Sequence, residues 1–289
     1  MKIVYYTSGL TGWGRVVIGI SIGNALKRRG IADEYTILSN SSPPFIADYY
    51  RHIEIPLEDE EALSEKNCHT SILYRTMMEI NPDVMLFDLI WFTTYHFIRE
   101  FPCKKIFLCH QVSDVFFSMH LPDKELIFNP AHYDRVLAIE PFMSAIKMDS
   151  INPIVIRNRE EILTKRDALE RLNITGDEKV CLFSFNSDTD EFDRIKEKYS
   201  YLKDYYKMIY TFDYTDGLFP EVDYFNAIDF IICGGGYNQF WEAVYFNKEA
   251  VFEAVPLVFE SHSRRIRECQ EYYFEENGAD QLVEIIVNL

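Results

Sequence analysis

The sequence predicts an α/β protein of two domains, each built around a parallel sheet that is covered by helices. Short apolar runs rich in Val, Ile, Tyr and Phe alternate along the chain with segments of helical spacing. The length of 289 residues suits one large or two small domains, and a hydrophobic content of 48% supplies two modest cores. Because the alternating pattern restarts near residue 157, we expect domains at 1–156 and 157–289.

The first domain begins with a buried strand over residues 2–7, which runs into a glycine turn. A helix is predicted over 15–29, because its apolar residues recur at helical spacing and Gly30 is placed to end it. The dipeptide Asn81-Pro82 breaks the chain between a helix and the next strand. The other predicted elements are helices over 70–80 and 91–101 and strands over 35–38, 51–55, 83–87, 105–110, 135–139 and 153–156.

The second domain repeats this alternation. A helix over 164–172 is predicted to begin with Thr164 as its N-cap and Asp167 three residues on. A strand over 230–233 leads through three glycines directly into a helix over 237–246. The other predicted elements are strands over 179–185, 208–212 and 250–254 and helices over 191–198, 264–274 and 280–287.

Composition argues against several classes of function. A net charge of −17 is the opposite of what phosphate-backbone contacts require, so we expect no nucleic-acid partner. The six cysteines form no Cys-x-x-Cys pair, and no His, Cys or Asp spacing predicts a metal site. We expect reduced, buried thiols in a cytoplasmic protein without signal peptide or membrane span; peripheral membrane contact stays open. We also expect a monomer or weak dimer.

The most specific motif is the strand–glycine–helix junction of the second domain. Glycines at such a junction let the backbone approach a ligand, and the first N–H groups of the helix favour a diphosphate. Glu242, about two turns further on, is placed to accept hydrogen bonds from a ribose. The residues before it are Gly234, Gly235, Gly236, Tyr237, Asn238 and Gln239.

These residues carry a family resemblance. Residues 227–256 resemble the donor-binding half of the two-domain (GT-B type) glycosyltransferases related to the bacterial enzyme that adds N-acetylglucosamine to lipid-linked muramyl peptide. In that superfamily a glycine-rich turn precedes a Glu, and a small apolar strand ends in Pro. Residues 153–159 with 165–172 look like the hinge and first helix of the same half, and residues 1–14 look like the acceptor-side half.

The resemblance implies a fold and a reaction. It implies two Rossmann-like domains facing a central cleft, and transfer of a sugar from a nucleotide-diphosphate donor, UDP-linked, to a hydroxyl acceptor. The donor is a substrate, and no tightly bound cofactor is implied. Arg157, at the hinge, pairs either with a phosphate or with a surface carboxylate. The turn containing Gly12, Gly14 and Arg15 lines the acceptor side.

The catalytic base is the point where this chain departs from the family. The family usually places a His in the first glycine turn, where this chain has Arg15, and an arginine stays protonated and cannot act as a base. His110 ends a predicted strand, where ligands of open α/β sheets bind, and is our candidate base; a structural His is the alternative. Asp88 also ends a strand and either contacts the acceptor or caps the next helix, which we favour.

Two other functions stay open. A nucleotide-sugar binding protein without catalysis is suggested by the missing turn His and by the acidic loop over 184–191, which would repel a diphosphate. A nucleotide-sugar 2-epimerase has the same fold, but the paired acid and base that it needs are not evident in the sequence.

Overall fold

The structure is a computed structural model that describes residues 1–9, 12–31, 34–121, 124–185, 189–212, 218–255 and 260–289. Contacts between residues divide the chain into two compact units. Met1–Ile154 and Glu276–Leu289 form the first unit, and Val155–Glu275 form the second. The last residues of the chain, Glu276–Leu289, thus belong to the first unit and not to the unit that precedes them in the sequence.

The first unit contains a seven-stranded parallel sheet and a separate antiparallel hairpin of β6 and β7. The sheet has the order β3-β2-β1-β4-β5-β8-β9, which reverses direction between β1 and β4. The strands are β1 Lys2–Thr7, β2 Glu34–Ser39, β3 Arg51–Glu54, β4 Val84–Asp88, β5 Lys104–Cys109, β6 Ser118–Leu121, β7 Lys124–Ile127, β8 Arg135–Ala138 and β9 Asp149–Ser150.

Two helices follow β1 and β3 in the first unit. Helix α1, Gly14–Arg29, is buried along most of its length and ends at Gly30, whose φ of 63° is the left-handed conformation that glycine adopts readily. Helix α2, Ile72–Ile80, begins at Ser71, whose side chain accepts a hydrogen bond from the N–H of Tyr74. Both helices were predicted within two residues.

Two predicted elements of this half differ from the structure. The helix expected over 91–101 is two short 3-10 turns, Phe92–Thr94 and Ile98–Glu100. This segment is dense in aromatic and β-branched residues, which have modest helix propensity, and rings such as Trp91 bury themselves in the core. The strand expected over 153–156 belongs to neither sheet, because the chain passes there from the first unit to the second.

The second unit contains a four-stranded parallel sheet of order β11-β10-β12-β13. Its N-terminal helix begins at Thr164, whose hydroxyl accepts from the N–H of Asp167 at 3.2 Å, as the sequence predicts. The elements are α3 Lys165–Arg171, β10 Val180–Phe185, α4 Thr189–Lys198, β11 Lys207–Phe212, β12 Phe230–Gly234, α5 Tyr237–Tyr245, β13 Ala250–Glu253 and α6 His262–Cys269.

The last helix, α7 Gly278–Val287, returns to the first unit and packs on α1. Nη2 of Arg28, on α1, donates to both carboxylate oxygens of Asp280, on α7, at 2.9 Å each. A Cβ at Gly278 would lie 1.8 Å from the carbonyl oxygen of Asn152, so only glycine allows this approach.

Candidate active site

The carboxyl ends of β1, β4 and β5 bring the first candidate residues together. Thr7 and Asp88 are paired residues at the point where the strand order of the sheet reverses. In open α/β sheets this reversal opens a crevice beyond the strand ends, and ligands bind there. His110 follows β5 directly, so it lies at the same edge of the sheet.

Asp88 and His110 form a buried pair. Nε2 of His110 lies 2.6 Å from Oδ1 of Asp88, and the two residues are 1% and 0% exposed. The other carboxylate oxygen accepts from the hydroxyl of Tyr5 at 2.5 Å and from that of Thr7 at 3.4 Å. Both oxygens of Asp88 are therefore engaged by neighbouring strand ends.

These contacts correct one expectation. We favoured Asp88 as a cap for the next helix, but no helix begins there, and its side-chain bonds in the described part of the chain go to Tyr5, Thr7 and His110. Burial alone would favour the neutral acid. The charge and hydrogen bond of His110, the charge of Arg15 and the hydroxyl of Tyr5 outweigh that burial and lower the pKa of Asp88.

The turn with Gly12, Gly14 and Arg15, predicted to line the acceptor side, connects β1 to α1. Gly12 has a φ of 74°, and Gly14 is the first residue of α1. The guanidinium of Arg15 donates to the carbonyl oxygen of Ser8 at 2.7 Å, which ties the start of α1 to the end of β1. Residues 10 and 11 of this turn lie outside the described residues.

In the second unit, β12 leads through the glycines into α5 as the sequence predicts. The glycines differ in their surroundings. A Cβ at Gly235 would lie 2.9 Å from Cβ of His262 and 3.0 Å from Ile266, so this glycine allows α6 to pack closely. A Cβ at Gly236 would meet no atom within 4 Å, and Gly236 is the N-cap of α5. Of these two glycines, only Gly236 leaves space in which a ligand could approach the helix start.

Helix α6 supports this junction through a residue that the sequence analysis missed. Arg265 is fully buried and donates to the carbonyl oxygen of Gly235 at 2.9 Å and to Glu260 at 3.2 Å. Its guanidinium carbon lies 5.8 Å from the centre of the Tyr237 ring. No motif in the sequence indicates this role, because Arg265 lies in a strongly charged segment that resembles a solvated helix.

Glu242 is the most distinctive group of this unit. It is 8% exposed, and within the described residues its carboxyl group makes no hydrogen bond. Burial raises its pKa well above the usual value, and the charges of Glu221 and Asp223 raise it further, against the lowering effect of Arg157. The side chain predicted to hold a ribose therefore has hydrogen-bonding capacity that the described part of the chain leaves unused.

A hydrogen-bonded network lies at the carboxyl ends of β10 and β11. The amide of Gln239, on α5, donates to the hydroxyl of Ser184 at 2.7 Å. The hydroxyls of Ser184 and Thr211 both donate to the same carboxylate oxygen of Glu221, at 2.7 and 2.5 Å. Glu221 was not identified from the sequence, because it lies in an irregular acidic segment that resembles an exposed turn.

Arg157 has a carboxylate partner. Its guanidinium donates to Asp223 at 2.9 and 3.4 Å, which is the ion-pair alternative of the sequence analysis. Of the helix-start residues, Tyr237 is buried and Asn238 is half-buried. The acidic loop expected to repel a diphosphate falls partly outside the described residues, at 186–188.

No group of three or more His, Cys, Asp or Glu side chains among the described residues is arranged to hold a metal ion. No helix within those residues has the length and apolar character needed to cross a bilayer.

Comparison with known proteins gives matches in structure alone. No protein-family model matches the chain, and no curated protein matches its sequence. A glycosyltransferase from Rickettsia africae superposes with a TM-score of 0.55 at 14% identity, covering 99% of this chain and 87% of its own. Spinosyn forosaminyltransferase SpnP superposes with a TM-score of 0.60 at 11% identity, and the match covers 92% of this chain and 82% of SpnP.

A plant structure gives the same result. UGT2 of Phytolacca americana, in complex with UDP-2fluoro-glucose and pterostilbene, has a TM-score of 0.55 at 12% identity, covering 100% of this chain and 90% of its own. At such identities the likeness concerns the fold. The chain therefore has the α/β fold, with parallel sheets, of the GT-B glycosyltransferases.

Proposed function

We propose that this protein transfers a sugar from a nucleotide-diphosphate donor, UDP-linked, to a hydroxyl acceptor. The observation that carries the proposal is the β12–α5 junction, where an open glycine at a helix start precedes a buried carboxyl group that makes no hydrogen bond to the residues the structure describes. The GT-B fold supports it, and one structure of that fold is a complex with a UDP-sugar analogue.

The donor would bind at α5. The first N–H groups of a helix have no acceptor within the helix, and the helix dipole favours an anion there, so a diphosphate suits the side left open at Gly236. Glu242 would bind the ribose hydroxyls. Because burial favours its neutral form, it can donate one hydrogen bond and accept others, which matches a pair of hydroxyl groups.

The acceptor would be deprotonated by His110. Asp88 holds Nε2 of the ring, so Nδ1 is the nitrogen that takes the acceptor proton. The acceptor oxygen then bonds to the anomeric carbon, and the bond from that carbon to the diphosphate oxygen breaks, with its electron pair leaving on the nucleoside diphosphate. Asp88 positions His110 and stabilises the imidazolium, and does not itself take the proton.

Arg15 would act through charge and position. Its guanidinium already orders the end of β1, and its charge lies near enough to Asp88 to lower the pKa of that carboxyl. Gly12 and Gly14 allow the chain to turn from β1 into α1. We assign these residues to the acceptor side, and Arg157 to fixing Asp223 beside Glu242.

One observation favours a second candidate, a nucleotide-sugar binding protein without turnover. The Asp88–His110 pair is almost fully buried, at 0% and 1% exposure, as a structural pair would be. Binding of a nucleotide sugar without release of the sugar under any condition would identify this alternative.

Thermal stabilisation by a panel of nucleotide sugars tests donor binding. A donor at 100 times its dissociation constant should stabilise the protein by about 2.7 kcal/mol. Glu242→Ala should weaken binding by roughly 1–3 kcal/mol, because hydrogen bonds to that group are lost. The exposed Glu249, in the same unit, provides the control Glu249→Ala, which should bind normally. An unchanged dissociation constant in Glu242→Ala would contradict the assignment of the ribose site.

A further inference from the structure

In the described part of the chain the two parallel sheets have four edge strands, and three of these are protected against pairing with another chain. β3 and β13 have four residues each and β9 has two, and each begins or ends with an acidic residue. Short, charged edge strands are a usual means of preventing the addition of a further strand. β11 is different, because its six residues include no proline and its one charged residue, Lys207, stands at the start.

One side of β11 faces away from the sheet, since β10 occupies the other side and no second strand of the described residues pairs with it. The N–H of Lys207 donates to the carbonyl oxygen of Lys179 at 2.7 Å, so the backbone groups of Lys207 point toward β10. This direction alternates along a strand. The backbone groups of Ile209 therefore also point toward β10, whereas those of Met208 and Tyr210 point outward. The outer edge thus presents alternating N–H donors and carbonyl acceptors, a pattern that a strand matches.

This edge is complementary to a second copy of itself. When two β11 strands run antiparallel about a two-fold axis at Ile209, Met208 of each copy lies opposite Tyr210 of the other. Each of these two pairs exchanges two N–H···O bonds, so every outward group of both residues is satisfied. Ile209 faces Ile209 of the other copy across the axis, where apolar side chains stabilise a strand pair. A two-fold contact of this kind uses the same surface on both copies and closes after two.

The side chains beside the edge also suit an interface. Met208, Ile209 and Tyr210 are half-buried within one chain. The turn that leads into β11 leaves Tyr201 and Tyr205 exposed, at 57% and 70%. Tyrosine is enriched in protein interfaces.

Charge favours this surface over the rest of the chain. The net charge is −17, so two copies repel each other when acidic surfaces meet. From the last turn of α4 through β11, over residues 195–212, the sequence has four lysines and only two acidic residues. The charge of Lys207 would lie opposite the uncharged Thr211 of the other copy, so the strands bring no like charges face to face.

We propose that β11 pairs with β11 of a second copy and joins two four-stranded sheets into one continuous sheet. The contact involves neither His110 nor Glu242, so the inference does not depend on the proposed transfer reaction. Sedimentation velocity of the full chain at increasing concentration measures the association. The mass should rise from the 34.1 kDa of one chain to twice that value. A mass that stays at 34.1 kDa at every concentration would overturn the proposal.

Two variants of Met208 test the backbone bonds. Met208→Pro removes an outward N–H and leaves the N–H groups that bond to β10 in place. Met208→Ala also shortens the side chain but keeps the N–H. The proline variant should have a dimer dissociation constant about tenfold or more above that of the alanine variant, since each dimer loses two hydrogen bonds. Equal dissociation constants, with both variants folded by circular dichroism, would contradict the strand pairing.

Substitutions at Ile209 test the register and leave the backbone unchanged. Ile209→Lys and Ile209→Glu should each be monomeric alone, because like charges directly opposite destabilise a strand pair. A mixture of the two variants should form a dimer, because Lys then faces Glu. Ile72→Lys, at an exposed isoleucine of α2, is the control and should dimerise like the parent. The proposal fails if Ile209→Lys alone dimerises like the parent, or if the mixture stays monomeric.

Discussion

Asp88 and His110 end neighbouring strands and meet through a 2.6 Å contact between a carboxylate oxygen and Nε2 of the imidazole. Because both side chains are buried, their contact fixes the orientation of the imidazole ring. The pair lies where the strand order of the sheet reverses, which is where ligands of this class of fold bind. Chemistry and topology thus point to the same edge of the first unit.

The Asp88 carboxyl predicts how stability depends on pH. Its pKa is lower in the folded protein than in the unfolded chain, so its contribution is present above the ordinary value near 3.8 and is lost as pH falls through the folded pKa. Asp88→Asn should therefore be less stable than the parent near neutral pH, and the difference should narrow in strong acid. Urea unfolding between pH 3 and 7 measures this. A difference that is constant over that range would contradict the ion pair.

Glu242 predicts the opposite trend. Its pKa is raised by folding, so the folded state binds the proton more tightly, and stability falls as pH rises from the ordinary value near 4.5 toward the folded pKa. Glu242→Gln removes this penalty and should raise the melting temperature at neutral pH, with little change near pH 4. A variant that is less stable than the parent at pH 7 would show that the carboxylate is paired.

The two glycines at the start of α5 should have different roles, Gly235 in packing and Gly236 in ligand binding. Gly235→Ala should destabilise the fold by about 1–3 kcal/mol, because its Cβ would press on His262 and Ile266. Gly236→Ala should fold normally, since the space around it is open and its φ of −63° suits alanine. It should weaken binding of a nucleotide sugar instead. Chemical denaturation and donor titration of both variants distinguish these effects; similar stability losses would refute the distinction.

Replacing the buried Arg265 should lower the stability of the fold. Arg265→Met keeps much of the apolar stem but leaves Glu260 and the carbonyl of Gly235 without their donor. Breaking a buried charged pair in this way should cost about 3–5 kcal/mol. Arg267→Met, at an exposed residue of the same helix, is the control and should lose less than about 1 kcal/mol. Equal unfolding midpoints for the two variants would contradict the support role.

Much of the fold could be predicted from the sequence because its signals are local. The β12–α5 junction is predicted by its glycines. The N-cap at Thr164 is predicted by the hydroxyl of Thr164 and the acidic residue three positions later. The sequence predicts a helix where the structure has 3-10 turns over 92–100. The aromatic residues of this segment are buried on several sides, so their spacing in the sequence does not distinguish the two conformations. The hairpin of β6 and β7 was missed, since its alternation is too short to stand out.

The candidate site was harder to predict because its partners are distant in the chain. His110 and Asp88 were each chosen as strand ends, but their contact spans 22 residues and depends on the neighbouring strands β4 and β5. Glu221 and Arg265 left no motif, because their roles depend on where irregular backbone brings them. Tyr5 looks like an ordinary core residue, and only its hydroxyl, 2.5 Å from Asp88, reveals a further role.

Release of UDP from UDP-sugars, measured by mass spectrometry with His110 variants, tests the central claim most directly. The protein should release UDP from at least one donor when an acceptor is present. His110→Ala and His110→Asn should each cut turnover by about 10²–10⁴, the usual share of general-base catalysis, with donor affinity nearly unchanged. His120→Ala, at an exposed histidine, should retain full turnover. Full turnover in the His110 variants, or no release from any donor that binds, would contradict the account.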